Sequence, residues 1–160
     1  MAPSILSDNT IADWLEKWAN ETPDRECIVY SDRDFRLTWK ETDTRVNNMA
    51  KGMLAVGIKP GHHVGIWATN VPDWLIILYA CAKIGAIAVT VNTNYKQNEL
   101  EYLCQNADLN ALFIIDGTWE SDFVDMTYTM LPELKTSQRG HINSDKFPLL
   151  KTVVYIGYEK

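Results

Sequence analysis

Few residues in the sequence have the type and spacing that catalysis or ligand binding requires. The most informative pair is Tyr95-Lys96, which follows the apolar segment Ile87–Val91 and the polar stretch Asn92-Thr-Asn94. If that segment is a parallel strand, the pair lies just past its carboxyl end, where open α/β sheets bind ligands. The simpler interpretation is a loop that only leads into the next helix.

Two other motifs resemble ligand sites but lack the required spacing. Gly52-x4-Gly57-Ile-Lys59 is similar to a phosphate loop, yet a working loop needs Lys directly after the second Gly and then Ser or Thr. We interpret these glycines as helix packing and helix termination. His62 and His63 are adjacent, so their side chains diverge and do not converge on one metal ion. We expect a surface pair and no metal site.

The three cysteines are widely spaced and form no Cys-x-x-Cys pair, which argues against a disulfide framework or a zinc site. We expect reduced, mostly buried thiols at Cys27, Cys81 and Cys104. The first residues lack the basic region and long apolar core of a secretory signal, so a cytoplasmic location is predicted. Pairs of acidic residues on helix starts or exposed faces are interpreted as solvated charges: Glu99 with Glu101, and Asp122 with Asp125.

Composition narrows the class of protein. The chain has 160 residues, 46% of them hydrophobic, and a net charge of −6. This composition excludes a disordered segment and argues against a nucleic-acid binder. The apolar stretch Trp74–Val91 changes character near Gly85, from helix-like to β-branched. It predicts a buried helix followed by a strand and no membrane span.

The first quarter of the chain contains strong local signals for secondary structure. Thr10 with Asp13 and Thr38 with Glu41 each have the spacing of a capping box, and an apolar helical stripe follows each pair. Thr22-Pro23 ends the first helix, and Gly57 ends the second. The segments Cys27–Tyr30 and Arg36–Trp39 flank a polar turn and predict a β-hairpin.

The rest of the chain alternates between strands and helices. The predicted strands are Val64–Trp67, Ile87–Val91, Ala111–Ile115 and Thr152–Ile156. Asn70 is expected to cap the helix that begins near Val71. Later helical stripes comprise Leu100, Leu103, Cys104 and Ala107, and then Trp119, Phe123, Met126 and Met130. This alternation predicts an α/β fold with a doubly wound, mainly parallel sheet, flanking helices and an N-terminal β-hairpin.

Three stretches, taken in order, resemble core segments of one enzyme family. The first is Arg36-Leu-Thr-Trp-Lys-Glu-Thr-Asp43 with Arg45-Val-Asn47. The second is Gly57-Ile-Lys-Pro-Gly-His-His-Val-Gly-Ile-Trp67 with Asn70-Val-Pro-Asp-Trp74. The third is Ala80-Cys-Ala-Lys-Ile-Gly-Ala-Ile-Ala-Val-Thr-Val-Asn-Thr-Asn-Tyr95, followed by Glu99-Leu-Glu-Tyr102. From about Thr10 to Ile156, the chain resembles the N-terminal part of the adenylate-forming acyl-CoA synthetases, a superfamily of AMP-binding enzymes.

The resemblance implies a function for a longer protein. Such enzymes join a carboxylic acid to CoA through an acyl-adenylate and use ATP, Mg and CoA. They hold the ATP phosphates with a Ser/Thr/Gly-rich loop ending in Pro-Lys-Gly and use an aromatic-Gly-x-Thr-Glu motif for adenine and Mg. This sequence contains neither motif. The family usually has an acidic residue where His62 stands.

We therefore expect residues 1–160 to be an N-terminal subdomain, inactive alone, of an ATP-dependent acyl-CoA synthetase. The Tyr-Lys and Glu-Leu-Glu-Tyr segments favour the fatty-acid–CoA ligase branch. The resemblance transfers no catalytic residue and no cofactor-binding role within this chain. Asn92 and Tyr95 are the ligand-edge candidates in an intact enzyme.

Two expectations concern partners. The remainder of the enzyme is the expected partner of this chain, and an exposed sheet edge would favour a homodimer. The alternative function is a free-standing, non-catalytic α/β binding or interaction module.

Overall fold

The computed structural model describes residues 8–157. Residues 1–7, which belong to the segment Met1–Asn9 that lacks a secretory signal, and residues 158–160 lie outside the described part. The helices are α1 (Ile11–Glu21), α2 (Trp39–Ala55), α3 (Pro72–Ile84), α4 (Gln97–Asn106) and α5 (Phe123–Met130). The strands are β1 (Glu26–Tyr30), β2 (Phe35–Thr38), β3 (His63–Trp67), β4 (Ile87–Thr90), β5 (Leu109–Ile114) and β6 (Thr152–Tyr155).

Both predicted capping boxes form, which confirms the starts of α1 and α2. The backbone N–H of Asp13 donates to Thr10 Oγ1 over 3.1 Å, and Thr10 N–H donates to the Asp13 carboxylate over 2.7 Å. Thr38 and Glu41 repeat this arrangement at 3.2 and 2.8 Å. In each box, the hydrogen bond from the threonine backbone holds the pKa of the acidic residue below its ordinary value.

The N-terminal hairpin is also confirmed. Strands β1 and β2 pair antiparallel, and a short 3-10 turn at Ser31–Arg33 connects them. The connection closes through Asp34, whose φ of 48° lies in the left-handed region that aspartate tolerates in turns. The hairpin leads directly into α2 and packs against it.

The main sheet has four parallel strands in the order β4-β3-β5-β6. The chain moves from β3 to β4 through α3, then passes over β3 to β5 through α4, and continues to β6 through α5. Because such crossovers are right-handed, this reversal of direction puts the helices on opposite faces of the sheet. Helices α1, α2 and α3 pack together, and so do α4 and α5. The doubly wound α/β fold is therefore confirmed.

The central strand β3 is buried on both faces. Val64 and Ile66 point to one side, and Gly65 and Trp67 point to the other. A Cβ atom at Gly65 would lie 2.8 Å from a methyl group of Leu109, so a larger residue fits beside β5 only if the packed leucine side chains move. Trp67 stacks on the ring of Phe123 with centroids 3.7 Å apart, which holds the start of α5 against the sheet.

A half-buried ion cluster joins the three helices of one layer. The amino group of Lys83 in α3 lies 2.5 Å from Glu16 of α1 and 2.9 Å from Asp43 of α2. Burial alone would lower the pKa of Lys83, but the hydrogen bonds with both carboxylates outweigh burial and raise the pKa above its ordinary value. The raised pKa keeps Lys83 protonated while its two hydrogen bonds fix the positions of α1 and α2 on α3.

The apolar stretch Trp74–Val91 divides near Gly85 into a helix and a strand, as predicted. Helix α3 ends at Ile84, Gly85 follows with a φ of +71°, and β4 begins at Ile87. Within residues 8–157, no helix combines the length and the apolar content that crossing a bilayer requires.

The predicted cap at Asn70 is wrong. Helix α3 begins at Pro72, its N-cap is Val71, and no side chain makes the capping hydrogen bond. Proline is preorganised for the first position of a helix, so α3 starts one residue later than expected and Asn70 precedes the cap.

The predicted helical position of Trp119 is also wrong. Helix α5 begins at Phe123 because the carboxylate of Asp122 accepts the backbone N–H of Asp125 over 2.9 Å. Trp119 precedes this cap in a tight loop and is 94% exposed. An apolar stripe does not distinguish a helical position from a neighbouring loop position.

We predict that Gly65→Ala lowers the free energy of unfolding by about 1–3 kcal/mol, because the added methyl group overpacks the core beside Leu109 and Leu112. The matched control is Gly52→Ala in α2, where no atom lies within 4 Å of the added methyl group. That substitution should raise stability by roughly 0.5–1 kcal/mol, because alanine favours a helix. Urea unfolding of both variants measures the difference, and equal stabilities would contradict the packing argument.

Candidate functional site at the carboxyl edge of the sheet

The carboxyl ends of the four parallel strands meet at one edge of the sheet. Strands β3 and β5 are neighbours, and the chain leaves β3 toward β4 but leaves β5 toward β6, on the opposite side. Such a reversal separates the loops after neighbouring strands and creates a crevice, where open α/β sheets bind ligands. The loops at this edge follow Trp67, Thr90, Ile114 and Tyr155.

The loop after β4 contains both residues that the sequence nominates, Asn92 and Tyr95. The Asn92 side-chain oxygen accepts the backbone N–H of Asn94 over 2.9 Å, and Tyr95 N–H donates to the Asn92 carbonyl oxygen over 3.1 Å. Asn92 therefore shapes its own turn. Tyr95 is half-buried against the hydrophobic core. Both lie at the predicted edge, and their role toward a ligand stays a prediction.

The loop after β5 forms a tight, hairpin-like turn. Thr118 N–H donates to Ser121 over 2.9 Å, and Phe123 N–H donates to Asp116 over 2.9 Å. Gly117 adopts a φ of +141°, and a Cβ atom there would lie 2.1 Å from the Ser121 carbonyl oxygen, so only glycine fits. The turn projects Trp119 into solvent.

Hydrogen bonds connect the loops across the edge. The amino group of Lys96, in the loop after β4, donates to Ser121 Oγ over 2.8 Å. The Tyr155 hydroxyl, at the end of β6, donates to the carboxylate of Asp116. The loops after β4 and β5 thus close over the end of β3. Of these four residues, the sequence pattern had pointed only to Lys96, as part of the Tyr95-Lys96 pair.

The residues at this edge do not fit ATP and Mg on their own. Lys96 is the cationic side chain of the loop after β4, and it is already bonded to Ser121. Among residues 8–157, no group of three or more His, Cys, Asp or Glu side chains could hold a metal ion. The residues described here can position a ligand at the edge, but they supply neither a phosphate loop nor a metal centre.

The two adjacent histidines have separate structural roles. His62 Nδ1 accepts the backbone N–H of Lys59 over 3.2 Å. His63 Nδ1 lies 2.6 Å from the carbonyl oxygen of Ala107, so this nitrogen carries the proton. The imidazoles diverge, as expected from their adjacent positions, but both are half-buried and hydrogen-bonded where we expected a surface pair.

The three cysteines are free thiols, as predicted, and Cys81 and Cys104 are buried. Burial raises the pKa of Cys81 to about 11 and that of Cys104 to about 12. Partial burial also raises the pKa of Cys27. Because the thiolate is the reactive form, none of the three is activated as a nucleophile.

Three of these four acidic residues have specific partners, so the expectation of simply solvated charges is wrong for Glu99, Glu101 and Asp122. Glu99 accepts the backbone N–H of Lys96 over 2.9 Å, and Asp122 caps α5. Glu101 lies 2.6 Å from the amino group of Lys146. Hydrogen bonds from Gln97 and Lys146 hold the pKa of Glu101 below its ordinary value. Glu99 and Glu101 thus support helix α4, and Asp122 supports the start of α5.

Comparison with known proteins matches this arrangement to a family. The sequence model described as "AMP-binding enzyme" matches residues 15–155, which include every strand of the main sheet. The chain belongs to the AMP-binding enzyme family. The resemblance noted from the three core segments is thereby confirmed.

Relatives of this chain are named as acyl-CoA synthetases and ligases. The chain is 42% identical over 155 residues to YngI of Bacillus subtilis (strain 168), which is named as an acyl-CoA synthetase. This match covers 97% of the present chain and 28% of YngI. It is 32% identical over 149 residues to the mitochondrial medium-chain acyl-CoA ligase ACSF2 of Danio rerio. That match covers 93% of the present chain and 25% of ACSF2. The chain thus spans about a quarter of the length of these curated relatives.

A solved structure agrees on the fold. The long-chain-fatty-acid-CoA ligase FadD1 from Archaeoglobus fulgidus superimposes with a TM-score of 0.74 at 21% identity. The match covers 98% of this chain and 29% of FadD1. At that identity, the likeness supports the shared AMP-binding fold and carries no residue roles.

We predict that Lys96→Met loosens both loops of the carboxyl edge, because it removes the hydrogen bond to Ser121. Backbone amides of Tyr95, Thr118 and Phe123 should exchange with solvent about two- to fivefold faster, since one such bond contributes roughly 0.5–1 kcal/mol. Hydrogen exchange resolved by residue measures this change.

The control for this prediction is Lys51→Met. Lys51 is exposed on α2, and its amino group has no partner among residues 8–157. This variant should leave exchange in both loops unchanged. Unchanged exchange in Lys96→Met as well would show that the bond does not hold the edge together.

Proposed function

We propose that the chain is the N-terminal α/β subdomain of an ATP-dependent acyl-CoA ligase. The parent enzyme activates a carboxylic acid as an acyl-adenylate, releases pyrophosphate, and passes the acyl group to CoA. The observation that carries the proposal is the family match over residues 15–155 together with relatives named as acyl-CoA synthetases and ligases. The chain covers 28% and 25% of those two relatives, which supports a part of a longer enzyme.

The role of this subdomain is to build one wall of the ligand crevice. The bond between Lys96 and Ser121 holds the loops after β4 and β5 together over the end of β3. Asn92 and Tyr95 lie in the first of these loops and are the proposed ligand-contacting residues. Residues elsewhere in the parent enzyme supply the groups that bind ATP phosphates and Mg, since the carboxyl edge described here lacks them.

The substrate and location follow as parts of the same proposal. Relatives named as medium-chain and long-chain fatty-acid ligases support a fatty acid as the carboxylic acid substrate. The three free thiols favour a reducing compartment, and we propose the cytoplasm.

Two measurements test the proposal. The coding sequence beyond Lys160 should encode a Ser/Thr/Gly-rich loop ending in Pro-Lys-Gly within the next few dozen residues. ATP–pyrophosphate exchange, measured across carboxylic acids of increasing chain length, should be absent for the 160-residue chain and present for the longer protein. Robust exchange by the 160-residue chain would overturn the proposed inactivity.

The alternative is a free-standing binding or interaction module. A stop codon directly after Lys160, with no exchange activity and a stable monomer, would favour that module and overturn the ligase proposal. The two functions are therefore distinguished by the downstream sequence before any assay of the protein.

We infer that the 160-residue chain self-associates through strand β6. Strand β6 is at one edge of the main sheet, and its backbone groups on that side have no strand to pair with among residues 8–157. An apolar groove of about 480 Å³ lies beside it, lined by Ile114, Val124, Thr127, Tyr128, Leu134, Val153 and Tyr155. Exposed strand edges next to apolar surface promote pairing between copies.

Sedimentation velocity at increasing concentration measures this association. The weight-average sedimentation coefficient should rise with concentration, and Tyr155→Lys should reduce the rise by placing a charge on the edge. Leu54→Lys on exposed α2 is the control and should behave like the unmodified chain. A single monomeric species at every concentration would contradict the inference.

A further inference from the structure

A cleft with a strongly basic lining opens at the amino edge of the sheet, opposite the candidate site. Its volume is about 500 Å³. The basic side chains that line it are Lys59, His62, Arg139, His141 and Lys151, and none of the described lining residues is acidic. The three lysine and arginine residues among them stand out because the whole chain has 21 Asp and Glu but only 15 Lys and Arg residues.

Hydrogen bonds hold the walls of the cleft in place. Lys151 N–H donates to the carbonyl oxygen of Asn110 over 2.9 Å, and Ile142 N–H donates to Lys151 over 3.1 Å. The side chain of Asn110 accepts the backbone N–H of His63 over 2.8 Å. The start of β3, the start of β5, the segment before β6 and the loop near Ile142 therefore form one continuous framework.

Gly140 lets the loop that forms the remaining wall of the cleft approach the end of α2. Its φ of +75° lies in the left-handed region, and a Cβ atom there would approach the carbonyl oxygen of Val56 to 3.3 Å. The loop carrying Arg139 and His141 therefore packs against the end of α2. This packing places its basic side chains on the same cleft as Lys59.

The cations of the cleft are unpaired. Arg36, Lys83 and Lys146 are examples of cations that form ion pairs in the described part of the chain. The charged groups of Lys59, Arg139 and Lys151 make no such pair, and all three residues are exposed. Like charges around one cavity repel each other, so a bound anion would relieve this repulsion.

The helix dipole accounts for only part of the cluster. Lys59 and His62 follow the carboxyl end of α2, where a positive charge is favourable. Arg139, His141 and Lys151 belong to the segment between α5 and β6 and reach the cleft through tertiary packing. Their convergence has no such local explanation.

His62 also presents a hydrogen-bond donor. Its Nδ1 accepts the backbone N–H of Lys59, so the proton of the neutral ring is on Nε2. A hydrogen-bond donor at this position suits a site for anions.

We propose that the amino-edge cleft binds a soluble small molecule that carries two or more phosphate groups. Guanidinium groups bind phosphate through paired hydrogen bonds, and lysine ammonium groups bind it as point charges. The volume lies within the range of small-molecule sites and exceeds what a single phosphate fills. The cleft is remote from the carboxyl edge, and the proposal does not depend on ligase activity.

Isothermal titration calorimetry with sodium tripolyphosphate, at low ionic strength, tests the proposal on the 160-residue chain. Saturable binding with one site is expected, and it should weaken as salt is added. The triple variant K59M/R139M/K151M should bind more than about 100-fold more weakly, because each removed cation costs about tenfold. Amide resonances of Asn110, Gly140 and Thr152 should shift during titration of the unmodified chain.

The matched control is K40M/K51M/K135M, which removes the same number of charges from exposed positions outside the cleft. It should retain the affinity of the unmodified chain, and both triple variants should unfold at similar urea concentrations. Equal loss of binding in the two variants would reveal a nonspecific effect of net charge and overturn the site. Absence of saturable binding would overturn it as well.

A second experiment, cosedimentation with vesicles, distinguishes binding of a soluble phosphate compound from binding of a lipid headgroup. Vesicles of phosphatidylcholine with phosphatidylserine or phosphatidic acid are sedimented with the protein. The proposal predicts no cosedimentation beyond that of K59M/R139M/K151M. Cleft-dependent binding to these vesicles without binding to tripolyphosphate would identify a membrane surface and overturn the soluble ligand.

Discussion

The burial of β3 on both faces is the constraint on which the rest of the fold depends. A parallel strand in the middle of a sheet must be covered by helices on both sides, and the crossovers through α3, α4 and α5 supply that cover. The Trp67 indole N–H has no hydrogen-bond partner among residues 8–157. The missing hydrogen bond lowers the free energy of unfolding by about 1–3 kcal/mol. Burial of the stacked Trp67 and Phe123 rings raises it by several kcal/mol per ring. Packing therefore outweighs the missing hydrogen bond.

The same topology gives the two edges of the sheet different chemistry. At the carboxyl edge, the chain leaves the neighbouring strands β3 and β5 in opposite directions, and a hydrogen bond between Lys96 and Ser121 joins the loops after β4 and β5. At the amino edge, the turn before β3 and the loop near Gly140 pack together and bring unpaired cations to one cleft. Both arrangements depend on contacts between segments that are distant in the sequence.

Local signals predicted the elements well where the stabilising interaction is itself local. The capping boxes of α1 and α2, the hairpin and the glycine after α3 all involve residues within a few positions of one another, and all four form. The errors at Asn70 and Trp119 have a common origin. In each case a nearby residue, Pro72 or Asp122, sets the start of the helix. An apolar or polar sequence pattern does not show which of several nearby residues will do so.

The sequence by itself determined the α/β class, the order of the elements and the AMP-binding family, because periodicity, caps and core segments are properties of neighbouring residues. It also pointed to the loop containing Tyr95 and Lys96. Only the tertiary structure decided what these residues contact, since Ser121 lies 25 positions beyond Lys96. It likewise assembled Lys59, Arg139 and Lys151 around one cleft, because the strand order of a sheet brings together residues whose separation in the chain carries no local signal.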